Sequence, residues 1–162
     1  MPQPSGRERV AADAARRGIP IDFVERAAAG SLAEAARILG IAPGEIVKSL
    51  VVKRHDGDYL FALIPGDRQI SWPKLRGLLG VNRLRLPDAD LALAATGYER
   101  GTITPLGSTT GWPVYADERI RGRVSMGAGE HGVSVFVAAD DLIAGLDATV
   151  ADISDPVEPS GA

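Results

Sequence analysis

Lys48 stands inside the run Glu45-Ile46-Val47-Lys48-Ser49-Leu50-Val51-Val52, which is otherwise largely apolar and β-branched. A lysine in such a strand either points to solvent or is held in a pocket for chemistry. The chain has only three lysines, Lys48, Lys53 and Lys74, and its other cations are arginines. Lysine is the cation whose pKa responds to desolvation and which acts as a compact point charge. Two further groups could share a site with it. One is the loop Gly101-Thr102-Ile103-Thr104-Pro105 with Leu106-Gly107 after it. The other is the turn in which Gly127, Gly129 and Gly132 frame Glu130-His131.

Several chemistries are excluded by residue type. There is no cysteine, so no thiol nucleophile, disulfide or thiolate metal site is available. With only His55 and His131, neither a three-histidine zinc site nor an HExxH pair exists. No metal or cofactor is expected. The segment Gly127 to Gly132 matches GxGxxG, but the run after it reads as a strand rather than a phosphate-binding helix. No GxSxG elbow and no GxxxxGK[ST] loop occurs. The net charge of −3 argues against a long nucleic acid held through many phosphates, so DNA is not an expected partner. It leaves room for gripping one RNA end. Arg119, Arg121 and Arg123 alternate at strand spacing, as do Arg83 and Arg85; solvated strand faces are the plainer reading of both. No apolar stretch approaches the ~20 residues of a membrane span. The N-terminus lacks the apolar core of a signal peptide, so a cytoplasmic protein without a membrane partner is expected.

The elements that must position these residues are legible. Ser5-Gly6-Arg7-Glu8 and Ser31-Leu32-Ala33-Glu34 are capping boxes that open helices ending at Gly18 and Gly40. Val47–Arg54 and Tyr59–Ile64 form a hairpin around Asp56-Gly57. Ser71-Trp72-Pro73 opens a helix closed by Gly80. Strands are predicted over 19–24, 81–86, 114–116, 123–128 and 133–137, with helices over 87–95 and 139–146. Residues 96–107 read as a structured loop. The folded domain is expected over 1–153, with a disordered tail over 154–162. Consecutive strands joined by tight turns give an α+β fold, a single domain with a mixed, largely antiparallel sheet flanked by helices.

The ordered set Val47-Lys48-Ser49-Leu50-Val51-Val52, Thr96-Gly97-Tyr98, Gly101-x-x-x-Pro105-Leu-Gly107, a glycine-rich turn and Asp140-Asp141-Leu142 resembles the YbaK/EbsC family over roughly residues 20–152. That family contains free-standing aminoacyl-tRNA deacylases and the editing insertion of bacterial prolyl-tRNA synthetase. The resemblance implies a YbaK-like fold and hydrolysis of the ester joining a wrong amino acid to the 3′ end of tRNA, usually Ala or Cys on tRNA for proline. It implies a mischarged tRNA acceptor end as ligand and prolyl-tRNA synthetase as a partner. A chain this short is expected to edit in trans. The family lysine maps onto Lys48 and its GxxxP loop onto Gly101 through Pro105. A functional histidine of several members maps onto His131, where other members carry a different residue. Lys48, Gly101, Pro105 and His131 are then the expected catalytic set. Ser49, Thr102, Ile103, Thr104, Gly107, Gly127 and Gly129 are the expected substrate-binding set. An aminoacyl ester is already activated, so loop N–H groups holding the oxyanion, a lysine charge and a positioned water suffice. The alternatives are a non-catalytic module that binds tRNA or a synthetase, and a hydrolase of small aminoacyl esters.

Overall fold

A computed structural model of the chain describes residues 3–157. Helix α1 (Gly6–Arg17) begins with Ser5 accepting from the Glu8 N–H while Glu8 accepts from the Ser5 N–H, the expected reciprocal cap. It stops where Gly18 turns left-handed at φ 70°, a conformation glycine adopts without steric cost. Strand β1 (Ile21–Glu25) follows. Helix α2 (Leu32–Leu39) is capped by Ser31, but Glu34 reaches the Gly30 N–H instead of the cap residue's own. A short 3-10 turn (Pro43–Glu45) leads into β2 (Val47–His55), which pairs antiparallel with β3 (Asp58–Pro65). Then come β4 (Arg68–Ile70), α3 (Trp72–Leu79) and α4 (Ala89–Thr96). The long 97–113 loop precedes β5 (Val114–Asp117), β6 (Arg123–Gly127), β7 (Val133–Ala138), α5 (Ala139–Leu146), β8 (Thr149–Ala151) and β9 (Ser154–Pro156).

The strands divide into three sheets. The order β1-β7-β6 is antiparallel throughout. The order β2-β3-β5-β8 is mixed: β2 and β3 are antiparallel, while β3-β5 and β5-β8 are parallel. The third sheet pairs β4 with β9. A parallel bridge between Ile46 and Ser125 joins the first two sheets. The expected α+β mixed architecture is therefore present, distributed over three sheets. Two cores share β3. Phe61 and Leu63 face one core with Val47, Val51, Val124, Met126 and Val135, while Leu60, Ala62 and Ile64 face the other with Val52 and Leu75. A strand buried on both faces reads as a continuous apolar run, as this one does.

Three expectations are corrected. Residues 81–86 make no strand: Arg85 contributes a single bridge to Lys53, and the preceding residues have no partner strand to satisfy them. Arg119, Arg121 and Arg123 do not share a strand face, because β6 begins only at Arg123 and Arg119 lies in the turn after β5. The tail expected from residue 154 is folded at its start. Ser154–Pro156 pairs with Arg68–Ile70, and buried Ser154 hydrogen-bonds Asp117. The rest of that tail, 158–162, lies outside the described residues.

Candidate active site

Strand alternation decides where the Lys48 side chain goes. Val47 and Val51 belong to the core between the sheets, and Leu50 and Val52 to the opposite one. Ser49 therefore shares the first face and Lys48 the second. The Lys48 ammonium donates to the Arg68 carbonyl and has the Asp67 carboxylate nearby. Burial lowers its pKa from the ordinary lysine value, and Asp67 partly opposes that shift.

β2 ends its sheet, so one edge is unpaired between the bridges at Ile46 and Lys53. A cavity of about 440 Å³ runs along that edge, lined by the six consecutive residues Ile46 to Val51. Its size is that of a small-molecule site. Leu32, Ala35 and Leu39 of α2 form an apolar wall, and Met126 and Val133 form another. Gly101 and Ile103 close one end together with Gly127. Ser49 Oγ is buried there without a hydrogen-bond partner among the described residues. The cavity therefore brings together Lys48, Ser49, Gly101, Ile103 and Gly127. Lys48 lines it, but Asp67 and Arg68, the groups facing its ammonium, do not.

The rest of the expected set has other placements. Thr102 and Thr104 are buried inside the loop, where Thr102 Oγ1 donates to the Glu99 carbonyl and Thr104 Oγ1 accepts from the Leu106 N–H. Pro105 lines a separate hollow beside Trp112. Gly107 adopts φ 75°, its N–H donates to Asp13 at 2.8 Å, and its carbonyl accepts from Arg9. Gly129 adopts φ 82° and donates to the Thr102 carbonyl; a Cβ there would lie 2.9 Å from the Gly6 carbonyl oxygen. These five residues shape or anchor the loop and the turn. None of them lines the cavity.

His131 is exposed, with Nε2 3.4 Å from a Glu99 carboxylate oxygen. It stands beside the loop, since a Cβ on Gly101 would lie 3.8 Å from its Cε1. It lines a shallow polar hollow with Arg7, Glu25 and Glu130, and that hollow shares Arg26 and Val133 with the main cavity.

Arg26 and Arg100 line the cavity and were missed in the sequence. Arg26 Nε donates to Ser134 Oγ at 2.8 Å, fixing the guanidinium between the two hollows. Among so many arginines neither carried a distinguishing signal; only proximity to Gly101 pointed to Arg100. Ser125 and Ser134 also line the cavity, on the β6 and β7 strands that close it. Among the described residues no group of three or more His, Asp or Glu could hold a metal ion, and no helix is long and apolar enough to cross a membrane.

A family model described as an aminoacyl-tRNA editing domain matches residues 26–144, which include every cavity residue named above. The proline–tRNA ligase of Pelobacter propionicus is 32% identical over 102 residues, 62% of this chain and 18% of the ligase. The chain spans only 13% to 26% of the length of the first such ligases it matches. A protein of Enterococcus faecalis described as a candidate Cys-tRNA(Pro)/Cys-tRNA(Cys) deacylase is 30% identical over 124 residues, 74% of each chain. A solved structure described as a candidate trans-editing enzyme for prolyl-tRNA synthetase superposes with TM-score 0.86 at 28% identity, covering 95% of this chain and 99% of the other. From α2 through the Gly101 loop to the glycine-rich turn, the chain belongs to the aminoacyl-tRNA editing domain family.

Proposed function

We propose that the protein is a trans-editing deacylase that hydrolyses the ester between a small, wrongly attached amino acid and the 3′-terminal adenosine of a tRNA. The carrying observation is the cavity on the β2 edge: apolar walls for a side chain, an unpartnered Ser49 hydroxyl, and the left-handed Gly101 at its end. Water adds to the ester carbonyl, and the tetrahedral oxyanion collapses with departure of the ribose 3′ oxygen, which takes up a proton. The products are a free amino acid and uncharged tRNA. Loop backbone near Gly101 holds the oxyanion, while Thr102 N–H is already bonded to the Glu99 carbonyl. Lys48 supplies positive charge along the strand edge. Arg26 and Arg100 at the walls suit the phosphates of the acceptor end. Likeness to the E. faecalis protein favours Cys on tRNA for proline, Ala being the other amino acid that the family resemblance implies, and likeness to proline–tRNA ligases favours prolyl-tRNA synthetase as partner.

The test is a panel of mischarged tRNAs incubated with wild type, Lys48→Ala and Gly101→Ala. Wild type is expected to release Ala or Cys from tRNA for proline and to leave correctly charged Pro in place. Each variant should lose at least about 100-fold in rate, in line with removal of one oxyanion donor. No release from any member of the panel by wild type sinks the deacylase reading and leaves a binding module.

A further inference from the structure

The carbonyl that receives the Lys48 ammonium belongs to Arg68, the first residue of β4. β4 is only three residues long and pairs with β9 alone. The Arg68 side chain doubles back onto that same partner. Its Nε donates to Ser154 Oγ at 2.7 Å, and its terminal nitrogen donates to the Ser154 carbonyl at 3.2 Å. Ser154 is fully buried and donates its hydroxyl to Asp117 Oδ2 at 2.8 Å. Asp117 is fully buried as well. It also accepts from the Ile153 N–H at 3.1 Å and the Arg119 N–H at 3.0 Å. Hydrogen bonds thus run from a buried carboxylate at the end of β5 through Ser154 to the Arg68 guanidinium, and the same residue's backbone carbonyl, at the other end of its side chain, receives the ammonium of Lys48.

We propose that Asp117, Ser154 and Arg68 are positioning residues for Lys48, so that the C-terminal strand β9 sets the direction of the site lysine. An ammonium has three N–H donors and no rigid fork. Holding one of them on a fixed carbonyl limits where the other two can point. Lysine otherwise explores many rotamers, and misplacing a charge by about 1 Å can cost on the order of 100-fold in rate. The proposal rests on the deacylase reading for its activity arm, and its structural arm stands without it.

The chain's three lysines make the structural arm direct. Protein grown with 13C-labelled lysine gives one Cε–Hε correlation set per lysine, and Lys48→Ala identifies the Lys48 signal. Ser154→Ala and Arg68→Met are compared with wild type, after thermal melts show that each variant folds. Arg68→Met, at a half-buried position, carries the test if Ser154→Ala does not fold. The expected result is a Lys48 signal moved towards that of a free lysine, an unmoved Lys53 signal, and a 10- to 100-fold fall in kcat/KM for the mischarged tRNA. A Lys48 signal unmoved in a folded variant overturns the proposal. So does a moved signal with kcat/KM within twofold of wild type. If wild type itself is inactive on every tRNA, the deacylase reading fails, and the Lys48 signal alone decides whether the relay holds the lysine.

Discussion

Lys48 and Gly101 line one cavity for different physical reasons, and single substitutions separate them. Lys48 carries a charge whose burial outweighs the help of Asp67, so its pKa lies below the ordinary lysine value. If the proposed charge role of Lys48 holds, its protonated form is the active one, and activity should fall as pH rises through that lowered pKa, earlier than a free lysine would titrate. A pH–rate profile corrected for spontaneous ester hydrolysis should show this basic limb, and Lys48→Arg should remove it, because arginine stays charged. Lys48→Met should abolish activity and shift Tm by less than about 3 °C, since a carbonyl near the surface can turn to water when it loses the ammonium. At Gly101 the cost lies in the backbone. Its φ of 90° is unfavourable for any residue with a Cβ, although that Cβ would meet nothing closer than His131 at 3.8 Å. Gly101→Ala should lower stability by about 1–2 kcal/mol, measured by denaturant titration, and lower activity by considerably more. Lys48 was legible because it is an oddity in its segment, and Gly101 because the family's GxxxP loop maps onto it. Ser49 was a weaker signal, since a buried hydroxyl without a partner looks like any small residue in a string of letters. Which face Lys48 takes could not be read, because Val47 to Val52 is apolar towards both cores.

At the scale of elements, the loop that carries Gly101 is clamped from α1, outside the family match. Arg9 donates from Nε and a terminal nitrogen to the Gly107 carbonyl, reaches the Gly97 and Thr96 carbonyls, and lies over the Tyr98 ring at 4.4 Å. Tyr98 donates to the Leu106 carbonyl at 2.7 Å, and burial pushes its phenol pKa up to about 12. Arg9→Ala should cost about 3 kcal/mol, because it removes charge-assisted bonds and leaves several half-buried carbonyls unpaired. That corresponds to a fall in Tm on the order of 6–12 °C. Arg9→Lys should recover little of it, since an ammonium cannot span the three carbonyls as the guanidinium does. Helix ends were legible at Gly18, Gly40 and Gly80 because capping side chains and left-handed glycines are local chemistry. The strands β4, β8 and β9 were not, since each is three residues long and exists through a distant partner. The run 81–86 misled for the converse reason: it has strand-like composition, and only Arg85 makes a β-bridge.

For the molecule as a whole, the two sheets supply a rigid cleft, and the charged residues near the chain's end tie its last strands to the rest. Asp152 is held down to about 2 by hydrogen bonds from Arg119 and Lys74. A carboxyl depressed from 3.8 contributes stability that is complete above its unfolded value and is lost as pH falls towards 2. Acid unfolding followed by circular dichroism should therefore steepen between about pH 4 and pH 2, and Asp152→Asn should flatten that part of the curve. The fold class was readable from strand spacing and tight turns, whereas the division into three sheets depends on long-range pairing that no local pattern encodes. The β4–β9 pair joins residues 86 positions apart at Arg68 and Ser154. During synthesis the Lys48 strand and its hairpin emerge well before the segment that fixes Arg68. A ribosome-bound chain cut short of Ser154 should hold its Lys48 ammonium loosely, so the lysine is set in place only once β9 has left the ribosome and folded back onto β4.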